Sequence, residues 1–104
     1  MDEVIENLLT FQKERNWKKF HTPENLAKSI NIEASELLEH FQWNNNYNLN
    51  EVSEELADVL IYSFLMAETL NLDIKKIILN KLQKNKEKYP ISKSKGNSTK
   101  YTKF

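Results

Sequence analysis

Cysteine is absent from this 104-residue chain, which excludes a disulfide framework and any zinc site built on thiolates. Glycine occurs once, as Gly96, and proline twice, as Pro23 and Pro90. A β-rich or α/β chain would need more turn residues, so the expectation is an all-α fold. Histidine is limited to His21 and His40, which leaves little for a nitrogen-ligated metal. No apolar run reaches the length of a membrane span, and the best candidate, LADVLIYSFLMAETL, is short and carries Asp58. The start, MDEVIENLLTF, has acids where a secretion signal has a basic region. The expectation is therefore a cytoplasmic protein with no membrane association, and the length suits one domain.

Charge is balanced in sum but not along the chain. Residues 1–80 hold 14 acids and 7 bases, whereas residues 81–104 hold 8 lysines and one acid, Glu87. Such a lysine-rich end is either a solvated tail or a cationic segment that meets an anion such as a phosphate chain. Nucleic acid is not an expected partner, because the rest of the surface is acidic and would repel it.

Four helices are expected from apolar residues recurring at helical spacing. The first runs roughly from Asp2 to Trp17. The second is capped by Thr22, has Pro23 in its first turn and continues to about Gln42. After the asparagine-rich NNNYNLN, Asn50 or Ser53 can cap a third helix reaching about Leu70. Asp73 caps a fourth, which ends near Lys88 because Pro90 disfavours helical geometry at Tyr89. Residues 1–90 then form a helical domain, and 91–104 a basic, extended or mobile tail.

Helix two gathers Leu26, Ala27, Ile30, Ala34, Leu37, Leu38 and Phe41 into one apolar sector, with Glu33 only about 20° outside it. Helix three is apolar most of the way round, and Glu55, Asp58 and Tyr62 form a polar stripe on it. A helix of that kind is normally buried, here by a second subunit. The pairs Glu33/Glu36 and Glu55/Asp58 each repeat at i, i+3, so each pair projects from one turn. If the two helices pack antiparallel, four carboxylates converge, and a divalent cation would relieve their repulsion. All-oxygen ligands suit Mg²⁺ or Mn²⁺ better than zinc. The plainer alternative is a solvated seam of acids bridging lysines. A di-iron bundle would need Glu-x-x-His twice, and Leu37 stands three residues before His40.

Glu33-x-x-Glu36, eighteen residues, then Glu55-x-x-Asp58 resembles the ExxE…ExxD motif of the MazG-like all-α nucleoside triphosphate pyrophosphohydrolases. The segments FQKERNWKKFHTPENL, EASELLEHFQW, EELADVLIY, KNKEKYP and KYT, in that order, extend the likeness over nearly the whole chain, on the side of the dCTP pyrophosphatase branch. The resemblance implies a four-helix bundle-type fold assembling as a dimer or a dimer of dimers, with the tetramer favoured. It also implies Mg²⁺-dependent cleavage of a deoxynucleoside triphosphate, dCTP or a modified cytosine nucleotide, to the monophosphate and pyrophosphate. Glu33, Glu36, Glu55 and Asp58 would hold the metal, and Glu33 or Glu36 would activate water. Lys81, Asn85, Lys86 and Lys88 would meet the phosphates, with Tyr89 also among the substrate-binding residues. Trp17 and Trp43 would line the base pocket, and His21 and Tyr62 would lie near it, Tyr62 as a partner of a carboxylate or a phosphate. Core packing is the alternative role for both tryptophans, and a capping neighbour for His21; His40 is expected to be structural or exposed. Ile32 and Ser35 stand where the family often has small residues, commonly glycine, and Leu8 where some animal members have a pocket histidine. The alternative functions are the same chemistry on another or a non-standard nucleotide, or a catalytically silent helical interaction module. An intact acidic quartet argues against the silent module, since a non-catalytic bundle should have replaced a buried acid by an apolar residue.

Overall fold

Residues 2–43 and 45–103 are described by the computed structural model of the chain, and all their regular structure is helical. Contacts divide the chain into two units, residues 1–72 and 73–104. The first contains α1 (Asp2–Glu14), α2 (Pro23–Glu39) and α3 (Leu49–Thr69). The second contains α4 (Ile74–Lys88), the short α5 (Ile91–Ser94) and a 3₁₀ turn, Tyr101–Lys103.

In the first unit, α1 stops at Glu14, one turn short of the expected Trp17. The cause is Asn16, which adopts φ 53° and lets two N–H groups turn back. The Asn16 N–H donates to the Lys13 carbonyl and the Trp17 N–H to the Gln12 carbonyl, both at 3.0 Å. This is a Schellman closure with asparagine in the left-handed position usually given to glycine. The end of α3 repeats it: Asn71 has φ 56°, and Leu72 N–H donates to the Ala67 carbonyl at 2.8 Å. At both of these helix ends the left-handed position falls to asparagine, the residue that tolerates it next best after glycine.

Thr22 caps α2 by accepting from the Asn25 N–H, with Pro23 in the first turn. The helix ends at Glu39, and the chain tightens to i→i+3 bonds through Phe41 and Gln42. The cap of α3 is Asn48, not Asn50 or Ser53; its Oδ1 accepts from the Glu51 N–H at 3.1 Å. α2 packs along α3, and Leu26, Leu65 and Ala67 are buried, with Leu26 at 0% exposure. The helices run antiparallel: His40 meets Glu51 and Glu55, while Glu33 meets Glu55 and Asp58 further along α3. Much of the remaining apolar surface of the pair is open in the single chain, including Leu38 at 66% and Leu49 at 70% exposure.

In the second unit, Asp73 caps α4 and Tyr89 ends it with φ −122°, as a residue before proline should. The segment after Pro90 is not simply extended. It forms α5 and the 3₁₀ turn, and Tyr101 packs edge-on against Tyr89 with ring centroids 5.8 Å apart. The Lys88 ammonium lies 5.0 Å from the Tyr101 ring centre. Short helices form here despite the polar composition, because backbone bonds from Lys93 and Ser94 back to Pro90 close a turn without needing a core. Among the described residues, no helix is long and apolar enough to cross a membrane.

Candidate active site

Glu33 of α2 and Glu55 and Asp58 of α3 each present a carboxylate oxygen, and these oxygens all lie within 4.8 Å of one another. Glu36 lies within hydrogen-bonding range of Glu33 and Glu55, although it is not one of the three that converge most tightly. All four acids are half-buried. The i, i+3 spacing on each helix and the antiparallel packing together bring the quartet into one place.

The electrostatics are unfavourable to bare carboxylates. Burial, then hydrogen bonding to Glu36, then the charges of Glu36, Asp58 and Glu55 push the Glu33 carboxyl up to about 7 from the ordinary 4.5. Glu55 is raised for the same reasons, burial first, with the nearby His40 opposing the shift. The Tyr62 hydroxyl is also raised, by burial and then by the charges of Glu33, Asp58 and Glu36. Glu33 Oε2 and Glu55 Oε2 are buried with no hydrogen-bond partner. Such groups are normally paired or bound to a metal, and the donor set here is all oxygen, so the residues fit a hard divalent cation.

His40, expected to be structural or exposed, is half-buried at the edge of this cluster. Its Nδ1 is 3.7 Å from Glu51 and its Nε2 is 4.0 Å from Glu55. Among the described residues of the first unit, it is the one basic side chain within 4.0 Å of the quartet. Its i, i+4 spacing from Glu36 on α2 was the available sequence signal. Ile32 and Ser35, the departures next to the acids, face outward: both are exposed, and the Ser35 hydroxyl donates to the Asn31 carbonyl.

An aromatic row leads from the acids to the end of α1. Tyr62 sits edge-on to His21 at 6.2 Å, His21 edge-on to Trp17 at 6.1 Å, and Trp17 edge-on to Phe11 at 5.5 Å. Trp17 is 41% exposed and Trp43, in the loop after α2, is 84% exposed. Neither tryptophan is a core residue of the single chain. Gln12 was not singled out in the sequence; it is buried and bonds His21. An open hollow of about 440 Å³ lined by Leu9, Gln12, Lys13, Asn16 and Lys18 lies at the end of α1. It contains none of the carboxylates, so the acids and not this hollow mark the candidate site.

Lys81, Asn85, Lys86 and Lys88 lie on α4, and Tyr89 caps it, donating its N–H to the Asn85 carbonyl at 2.8 Å. Helical spacing puts Lys81, Asn85 and Lys88 on one stripe, while Lys86 is turned about 140° from Lys81. The stripe members Asn85 and Lys88 are half-buried, and Lys81 and Lys86 are exposed.

Residues 28–104 match the MazG-like family. The chain belongs to that family. This MazG-like chain is 34% identical over 102 residues to dCTP pyrophosphatase 1 of Rattus norvegicus and 35% identical over 102 residues to that of Homo sapiens. Each match covers 88% of this chain, which spans 60% of the length of those relatives. The solved structure of a pyrophosphatase from Archaeoglobus fulgidus superposes with a TM-score of 0.82 at 40% identity, covering 86% of this chain and 92% of that one. The all-α MazG-like architecture expected from the sequence is thus found in the helices, the family match and the structural neighbour.

Proposed function

We propose that this MazG-like protein is a nucleoside triphosphate pyrophosphohydrolase that takes a deoxynucleoside triphosphate, dCTP or a modified cytosine nucleotide, to the monophosphate and pyrophosphate. The single observation that carries this is the convergence of Glu33, Glu55 and Asp58 within 4.8 Å, with Glu36 beside them and two carboxylate oxygens buried without partners. Similarity to proteins named dCTP pyrophosphatase 1 points the same way.

In this reading Glu33, Glu36, Glu55 and Asp58 hold Mg²⁺, with Mn²⁺ as an alternative. A bound ion supplies neutralisation of phosphate oxygens and lowers the pKa of water. The chain's own contribution is to keep the acids on two rigid helices, so little reorganisation is needed on reaction. Glu33 or Glu36 orients the attacking water and accepts its proton. Trp17 and Trp43 offer ring faces to a base, with His21 and Tyr62 between Trp17 and the acids. Lys81, Asn85, Lys86 and Lys88 supply the phosphate contacts, with Tyr89 also among the substrate-binding residues. The helical domain of residues 1–90 carries these groups, and 91–104 is a basic appendage.

The open apolar surface of α2 and α3, with Ile32, Leu38, Leu49, Leu56 and Leu60 exposed, supports a homo-oligomer; the family resemblance favours a tetramer over a dimer. We place the protein in the cytoplasm, acting on the nucleotide pool without nucleic-acid or membrane partners. The test is a turnover screen over common and modified nucleotides with Mg²⁺, with products resolved by chromatography. Monophosphate plus pyrophosphate is the expected outcome. Diphosphate plus orthophosphate, or no turnover on any nucleotide, would overturn the assignment.

A further inference from the structure

The tryptophans raise a problem of specificity. Stacking on an aromatic face tolerates every base, so discrimination requires a polar group held against the base edge. The structure offers one residue that organises such a group. Gln12 is 4% exposed, the buried polar residue of the first unit. Its backbone carbonyl takes the Trp17 N–H at 3.0 Å, within the turn that ends α1. Its side-chain Nε2 lies 2.8 Å from His21 Nδ1. One residue therefore sets both the backbone of Trp17 and the ring of His21. The His21 main chain is held to the same turn, its N–H donating to the Trp17 and Lys18 carbonyls at 3.2 Å.

With the Gln12 amide nitrogen turned toward the ring, Nδ1 is the acceptor of this bond. A neutral imidazole with an accepting Nδ1 carries its single proton on Nε2. The two ring nitrogens face different directions, which leaves the Nε2–H on the side of the ring away from Gln12. We propose that Gln12 is a positioning residue that holds His21 in the Nε2–H form and so makes it an obligate hydrogen-bond donor to the substrate's base. The role of His21 toward a base rests on the pyrophosphohydrolase reading; the hold of Gln12 on His21 does not.

The consequence is a stated substrate chemistry. A fixed donor favours a base that turns a carbonyl oxygen or an unprotonated ring nitrogen toward it, and opposes one that presents an N–H or amino group there, because two facing donors are left unpaired. Edge-on contacts with both Trp17 and Tyr62 restrain the ring from rotating to suit a different base.

The first measurement is ¹⁵N NMR of the histidine side chains in the metal-free protein at mildly alkaline pH, with His40→Gln to assign the signals. His21 should show an unprotonated Nδ1 and a protonated Nε2. In Gln12→Glu the carboxylate accepts from Nδ1–H, so the proton should move to Nδ1. The second measurement is kinetic. Gln12→Leu and Gln12→Glu should each raise KM for the preferred nucleotide about tenfold, the scale of one lost hydrogen bond, with kcat changed less than about twofold. A thermal melt checks that each variant is folded, and Gln12→Glu, which keeps size and polarity, carries the test should Gln12→Leu not fold. An Nδ1–H form of His21 in an active wild-type enzyme would overturn the inference and leave the enzymatic reading standing. So would unchanged KM in both variants. An Nε2–H form in a protein that turns over no nucleotide would do the reverse, removing the enzymatic reading while the hold on His21 stands.

Discussion

Binding of Mg²⁺ should expel a proton from Glu33, and the amount is set by its carboxyl near 7. A metal ligand must be ionised, so whatever fraction of Glu33 is protonated beforehand is released. With a pKa of about 7, that fraction is about 0.9 at pH 6, about 0.5 at pH 7 and about 0.1 at pH 8. Glu55 is shifted in the same direction and adds to the release. The ionised fraction of Glu33 falls about tenfold from pH 8 to pH 6, so apparent Mg²⁺ affinity should weaken by at least that factor. Without metal, stability should move the opposite way. A carboxyl raised from 4.5 to about 7 binds its proton more tightly in the folded state. Its contribution is therefore fully present below pH 4.5 and lost as pH rises through 7. Titration calorimetry in two buffers of different ionisation enthalpy reads the proton count directly. Melting temperatures of wild type and Glu33→Gln without metal give an independent check. The variant should be the more stable at pH 8 and close to wild type at pH 5, where Glu33 is already neutral. Metal affinity that is flat between pH 6 and pH 8, with no proton released, would refute the clustered-carboxylate electrostatics.

Asp58→Asn should lower turnover by at least about two orders of magnitude while the helical content is retained, and near wild-type rates would remove Asp58 from the metal site. Trp43→Ala should raise KM for a deoxynucleoside triphosphate by roughly one to two orders of magnitude, from the 1–3 kcal/mol typical of base stacking. Since Trp43 is 84% exposed, its melting temperature should hardly change, and unfolding with KM intact would make it a structural residue instead. Light scattering at micromolar concentration should find a particle larger than one 12.4 kDa chain; a monodisperse monomer would contradict the assembly.

Much of the architecture was legible in the sequence because its signals are local. Thr22–Pro23 and Asp73 announce helix starts by cap chemistry alone, and Pro90 stops α4 by steric conflict with Tyr89. The acidic pairs could be paired off because i, i+3 spacing holds in any helix, and the family motif supplied the rest. Other features depend on choices the sequence leaves open. Asn16 is as acceptable inside a helix as in a left-handed turn, so the early end of α1 was hidden. In NNNYNLN several asparagines cap equally well on paper, and only the packed helix selects Asn48. His40 reaches Glu51 and Glu55 through the relative rotation of α2 and α3, which no local pattern encodes. Gln12 looked like an ordinary polar residue until the chain folded His21 back onto it.

All four acids belong to one continuous hairpin, α2 and α3 with the loop between them. That arrangement has a kinetic side. Contacts of short sequence separation form early in folding, since the loop to be closed is small. Here the early contact is also the one that drives four like charges together. The speed of folding should then be governed by how well those charges are screened or neutralised as the two helices dock. Mild acid, added salt or a divalent cation would each lower that barrier, and a chain emerging into a cation-poor solution would fold most slowly at the place where its chemistry resides.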